Sequence, residues 1–199
     1  MNSTSASWDK FLNPDVLKQN FVQAGLFLAA FEMLKQSLIG KPRDFFWNGF
    51  KDGKHIVSPD YQEKVLSLSK HKYEASVRWW QQQGAIDDGD ATRLAEIREH
   101  RDMIAHEMPK LIGTVEHSIR LDLLYGISEL LAKIDNWWIV NVEIAIDADV
   151  PDYTDEQLKE ANSMNAIFIE MILPIAEGDD SKMRSLYQMW IEHQNKNEG

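Results

Sequence analysis

Apolar residues recur at three- and four-residue spacing along most of the chain, and the breaks between runs carry helix-start and helix-stop residues. A first helix is predicted from Asn13-Pro14-Asp15, where asparagine caps, proline suits the first turn and aspartate meets the positive end of the helix dipole. Its stripe runs Leu17, Phe21, Leu28, Phe31, Leu34, Leu38, and Gly40 with Pro42 predicts its end. Residues 45–57 show no period and contain Gly49 and Gly53, which predicts a loop. Ser58-Pro59-Asp60 opens a second helix reaching about Gln83, and "GAIDDGD" (84–90) is a turn. A third helix runs from about Asp90 and is predicted to stop before Pro109, because the residue preceding proline disfavours helical backbone. A fourth, from Thr114 to about Ile146, carries Leu123, Ile127, Leu130, Ile134 and Trp137. After "DADVPDYTDE", a fifth helix is predicted from the capping-box spacing of Thr154 and Gln157, and a short sixth over residues 179–194.

No repeat or low-complexity tract interrupts this pattern, and "WWIVNVEIAI", though rich in strand formers, continues a helical stripe. The predicted fold class is all-α, a bundle of four main helices with additional C-terminal helices. At 199 residues the chain can bury a real core as one domain with an appendage. The expected division is a flexible N-terminus at 1–13, the bundle at 14–146, and an acidic helical extension at 147–199 packed on the same domain.

The third helix carries an anomaly. Leu94, Ile97 and Ile104 mark its core side, and the member missing from that stripe is read as Arg101, inside "EIREHRDMIAHEMPKLI". An arginine there must reach solvent or meet a partner, since an unpaired buried charge costs several kcal/mol. His106 follows five residues later, about 140° further round a continuous helix, so it joins Arg101 only if the backbone yields ahead of Pro109. Asp102, at i−4 of His106, is placed to orient its ring. An arginine, a histidine and an orienting acid suit metal-free phosphodiester cleavage, because imidazole moves protons near neutral pH and guanidinium stabilises charge building on phosphorus.

Composition narrows the field. The absence of cysteine removes disulfides, thiolate metal sites and cysteine nucleophiles, and fits a reducing interior. The opening "MNSTSASWDKFLNP" lacks the basic start and apolar run of a secretory leader, and no window approaches the length of a membrane span. The expectation is a cytoplasmic protein with no membrane partner. A net charge of −11 argues against a phosphate-bearing partner, but eleven acids and one lysine fall within residues 141–180, leaving the rest near neutral. That acidic run reads as a solvated face. Residues 41–54, "KPRDFFWNGFKDGK", mix basic and aromatic side chains, and Lys41, Arg43, Trp47 and Lys51 are candidate contacts to RNA or to a partner. Trp79-Trp80 and Trp137-Trp138 lie on helical stripes and read as core or dimer packing.

"RDMIAH", an arginine, a polar residue, three residues and a histidine late in a helix, resembles the motif of the HEPN family, all-α domains that include many metal-independent ribonucleases of toxin and defence systems. "LFLAAFEMLKQSLIG" is similar to the family's opening helix, and the resemblance covers residues 14–146, with 40–58 as an insertion. It implies that Arg101 binds and polarises the scissile phosphate, that His106 is general acid or base, and that Asp102 tunes the histidine. It also implies attack by the RNA 2′-hydroxyl, a 2′,3′-cyclic phosphate product, a homodimer with a composite site, no cofactor, and an antitoxin or defence-system partner. Glu96 and Arg98, one turn upstream, are secondary candidates, while Glu99 and Glu107 depart from what an RNA channel prefers.

Other readings of these residues are weaker. "HRD" lacks the asparagine of a kinase catalytic loop, since Glu107 stands in its place. His71, His100, His106 and His117 lack zinc-protease spacing, and no metal site is expected. Two alternatives to a ribonuclease stay open: a noncatalytic helical module binding a partner protein or nucleotide, and a structural protein in which Arg101 and His106 form a buried polar network.

Overall fold

The computed structural model describes residues 3–146, 154, 156, 158 and 163–197. The fold is predominantly helical, as the periodicity predicts. Its helices are α1 (Ser3–Leu12), α2 (Pro14–Phe45), α3 (Pro59–Lys64), α4 (Lys72–Gln82), α5 (Asp88–Gly113), α6 (Leu121–Trp138), α7 (Met164–Ala176) and α8 (Ser181–Asn197). A hairpin of β1 (Trp47–Lys51) and β2 (Lys54–Val57) separates α2 from α3.

The long α2 is the spine, packing against α4, α5, α6 and α7. Asn13 caps it, its side-chain oxygen accepting the N–H of Asp15 at 3.1 Å. The core gathers Phe27, Leu34 and Leu38 of α2, Trp79 and Trp80 of α4, Leu94, Ile97 and Ile104 of α5, Leu123, Ile127, Leu130 and Ile134 of α6, and Ile169 and Leu173 of α7. The indole N–H of Trp80, at the bottom of this core, donates to the Leu38 carbonyl at 2.9 Å. Trp79, Trp80 and Trp138 are buried and Trp137 packs edge-on against Trp80, so the tryptophan pairs serve the core.

Several boundaries depart from the sequence reading, each for a packing reason. Helix α2 runs through Pro42 to Phe45 instead of ending at Gly40. Phe45 and Phe46 lie against Trp79, and that packing carries the helix past its proline. The single helix expected over 58–83 is broken. Val65 is fully buried beyond α3, and extended Ser69 bonds the N–H of His71 and the carboxylate of Glu74. Residues 114–120, expected to be helical, are irregular. The N–H of Arg120 is taken by His100, and Lys10 holds the carbonyls of Leu111, Thr114 and His117 at 2.6–2.7 Å. A lysine at the end of α5 complements the negative end of the helix. The lead-in expected to be flexible is therefore a helix anchored by Lys10.

Beyond Trp138, α6 continues through a π-helical turn, Ile139–Glu143, to Ile146. The expected helix opening at Thr154 and Gln157 lies largely outside the described residues, as does much of the acidic run. Helix α7 is capped by Ser163 and packs on α2 and α6, and the short sixth helix is α8, extending to Asn197.

The predicted loop 45–57 is a hairpin. Asp52-Gly53 turns it with φ of 52° and 73°, the two positive values that a two-residue primed turn requires. Phe50 pairs with His55 and Lys51 with Lys54, and a bulge at Gly49 (φ 97°) separates these pairs from Trp47 opposite Val57. No helix among the described residues is long and apolar enough to cross a membrane.

Candidate functional site

Helix α5 starts at a reciprocal cap in which Asp87 accepts the Asp90 N–H and Asp90 accepts the Asp87 N–H. Its buried positions are Leu94, Ile97, His100, Ile104 and Leu111. The gap in the stripe is filled by His100, three residues after Ile97 and four before Ile104, and not by Arg101. His100 packs edge-on against Phe27 with centroids 5.0 Å apart, and its Nε2 accepts the Arg120 N–H at 3.0 Å. Burial is the main force holding this imidazole below its ordinary pKa. The Arg120 charge adds to it and Asp122 opposes it, so the ring is held neutral. With Nε2 accepting, the proton belongs on Nδ1, which is buried without a hydrogen-bond partner among the described residues.

Arg101 flanks the buried stripe, its side chain 29% exposed. One terminal nitrogen lies 3.0 Å from Glu32 of α2, the other 3.0 Å from Asp102, and the guanidinium sits 5.3 Å from the centroid of Phe31. Its Nε is buried without a partner among the described residues. Asp102 and Glu32 raise the arginine's pKa against a smaller opposing effect of burial. Glu32 is in turn held below the ordinary carboxylate range, first by Lys35 and then by Arg101. The result is a cation over an aromatic ring between two carboxylates, with one side open to solvent.

His106 does not join Arg101 in the way the sequence suggested. The backbone does break near Pro109, but at Glu107 (φ −123°, ψ 25°), one residue past His106, and α5 then resumes to Gly113. Residues 101–106 are thus continuous helix, and the two side chains stay about 140° apart round the axis. His106 is exposed and makes no side-chain hydrogen bond among the described residues. It lines a surface depression with Glu96, Glu99, His100, Asp102, Met103, Glu107 and Arg120. Asp102, expected to orient His106, bonds Arg101 instead.

The secondary candidates separate to two sides. Glu96 lies 3.7 Å from Arg120 in the His106 depression. Arg98 lies 3.4 Å from Glu74 and 5.2 Å from the Tyr73 ring, in a second depression shared with Asp102 and Glu99. Glu107 is held below its ordinary pKa by Lys110.

The basic and aromatic candidates also divide. Lys41 is withdrawn from any ligand, 3.3 Å from the buried Asp135 of α6 and 5.2 Å from the centroid of Trp138. Asp135 also accepts the Ser163 hydroxyl. No spacing rule could link residues 94 positions apart, so this pair is invisible in the sequence. Arg43 pairs with its neighbour Asp44 at 3.2 Å. Trp47 and Lys51 stand exposed on the hairpin beside Phe50 and His55, which the sequence reading missed. "KDGK" was the available signal, since Asp-Gly is the strongest short hairpin mark.

Among the described residues no group of three or more His, Asp or Glu is placed to hold a metal ion. His117 bonds Thr114 at 3.0 Å, at the turn anchored by Lys10. Compared with known proteins, the chain matches no family model, no curated protein and no solved structure.

Proposed function

We propose that this protein is a metal-independent endoribonuclease of HEPN type that acts as a homodimer, in which Arg101 of one copy and His106 of the other address one phosphate. The observation that carries this reading is the state of the two side chains on α5. Arg101 presents a guanidinium held by solvent-screened ion pairs with an open side, and His106 is an exposed imidazole with no side-chain hydrogen bond among the described residues. Their 140° separation favours a site completed by a second copy over one built within a single chain.

In the reaction, the RNA 2′-hydroxyl attacks its own phosphorus as an imidazole takes its proton. The P–O5′ bond breaks, the 5′-oxygen takes a proton from water, a 2′,3′-cyclic phosphate remains, and the imidazolium returns its proton to solvent. The guanidinium stabilises the added charge on the phosphoryl oxygens. A toxin, phage-defence or stress setting, with an antitoxin or defence partner, follows from the resemblance of "RDMIAH". A noncatalytic module that binds a partner protein or nucleotide is the second reading. It is favoured by the two carboxylates already on Arg101.

The test is labelled RNA incubated with the protein in EDTA, beside Arg101→Ala, His106→Ala and an equal mixture of the two. Cleavage should survive chelation, vanish in each variant, and return in the mixture to about a quarter of wild type, since half the dimers then carry one intact site. Loss in the variants without recovery would place the site within one chain. Cleavage unchanged in both variants, or absent with every RNA, would sink the proposal.

A further inference from the structure

We propose that the hairpin 47–57 is a binding arm for single-stranded RNA, feeding an unpaired strand along α2 to Arg101. The inference takes its substrate from the ribonuclease reading, but its evidence lies elsewhere in the molecule.

Three rings gather on one face of the hairpin. Trp47 and Phe50 have centroids 5.6 Å apart, Phe50 and His55 4.6 Å, and Trp47 and His55 6.3 Å. All meet tilted or edge to face, so the cluster does not consume its own ring faces in stacking. Trp47 is 50% exposed and Phe50 63%. That base is anchored by Phe46 and Val57 against the core and by the Ser58 N–H on the Phe46 carbonyl at 2.8 Å. The bulge at Gly49 is what brings Trp47 onto the same side as Phe50 and His55.

The tip adds charge of the matching sign. Lys51 and Lys54 are cross-strand partners, an arrangement that repels and destabilises a hairpin, and neither has a carboxylate partner among the described residues. In a molecule of net charge −11, the tip carries two lysines against the single carboxylate of Asp52 in its turn, a positive balance that suits a phosphate backbone passing it. Exposed rings beside unpaired lysines are the combination that takes up unpaired bases without sequence readout. A duplex hides its base faces and offers these rings nothing to stack on.

A groove on α2 lies between the arm and the proposed site. Glu32, Gln36, Ile39, Gly40 and Arg43 fall on one face of α2 and line a shallow groove. Glu32 at one end is the carboxylate bonded to Arg101, and Arg43 at the other lies just before the hairpin. The path from Glu32 to Phe45 spans about 20 Å at helical rise. A stacked strand covers that length in roughly six nucleotides.

The experiment is fluorescence anisotropy of a short labelled single-stranded RNA, and of the same strand in duplex, with full-length His106→Ala so that nothing is cut. The single strand should bind tighter than the duplex. Trp47→Ala with Phe50→Ala should weaken it about tenfold or more while the melting temperature holds. Lys51→Gln with Lys54→Gln should lower the salt slope by about one per lysine. Unchanged binding in the ring variant, or no binding of either RNA to the His106→Ala chain, overturns the arm. With His106 intact, cleavage that ignores the hairpin substitutions also overturns the arm but leaves the ribonuclease standing. Ring-dependent binding with no cleavage by the wild type supports the arm and removes the ribonuclease.

Discussion

Two cations tie neighbouring helices to α2 with the same three parts, an aromatic ring, a carboxylate and a positive charge, and they end in opposite states. Lys41 lies over Trp138 and beside Asp135, whose side chain is 1% exposed. Arg101 lies over Phe31 and beside Glu32, whose side chain is 51% exposed. Both contacts look like structural clasps on their distances alone. What differs is the water: the Lys41 charge is matched to one that solvent cannot reach, whereas either member of the Arg101 pair can be released to solvent or to an incoming anion at small cost. A clasp of the first kind holds the bundle, and one of the second kind can serve as a site.

The strongest way to break this contrast is Lys41→Met, which keeps the stem over Trp138 and removes the charge. It should cost about 3–5 kcal/mol in urea unfolding, because Asp135 stays buried with no cation. Adding Asp135→Leu should restore much of that loss, since an apolar pair of similar volume replaces a buried ion pair well. A loss below about 1 kcal/mol in the single variant would mean that Asp135 reaches water, and the two clasps would then be alike.

How much of this was legible follows from the range of each interaction. Local signals read correctly: Asn13 and Ser58 cap where expected, and the α2 stripe from Phe31 through Leu38 is buried. The hairpin is marked by "KDGK", but Gly49 and Gly53 without an apolar period suit an irregular loop equally well. Choosing between His100 and Arg101 for the buried position was not a local matter. A period of 3.6 allows either three or four residues after Ile97, and Phe27 with the Arg120 N–H made the choice from elsewhere in the chain. The Lys41 pairing was hidden for the same reason. Basic-aromatic composition marked Lys41 and Lys51 equally, yet one is spent on Asp135 and the other is left to solvent.

Arg101→Ala sharpens the contrast at a smaller scale. Its ion pairs are solvent-screened and its contact with Phe31 is a modest cation–π interaction, so thermal or urea unfolding should show a loss of about 1 kcal/mol. The same substitution should abolish cleavage. Glu32→Gln should cost less still, and by freeing the guanidinium it should tighten RNA binding. A loss of 3 kcal/mol or more for Arg101→Ala would make it a second Lys41, and weaker RNA binding in Glu32→Gln would remove the idea that Glu32 holds the arginine in waiting.

The smallest expected effect belongs to the two histidines of α5, which repeat the contrast six residues apart. His106 stands in solvent, whereas His100 is buried and bonded through Nε2 to the Arg120 amide. Protonating His100 would set N–H against N–H, and burial together with the Arg120 charge holds its pKa below the ordinary imidazole value of about 6.5. The unfolded chain therefore takes up this proton first as pH falls. Stability from His100 is fully present above the ordinary value, is lost as pH drops from there toward the depressed folded value, and changes no further below it. Carboxylates such as Glu32 and Asp122, held low by their cations, act only in a more acidic range. His100→Gln can keep an acceptor for the Arg120 amide but does not titrate. Urea midpoints measured from pH 7 to pH 5 should fall less steeply in that variant than in the wild type, whatever its starting stability. Parallel slopes would show that the His100 ring takes up a proton where it sits, and that the depression around His106 admits water to the bottom of α5.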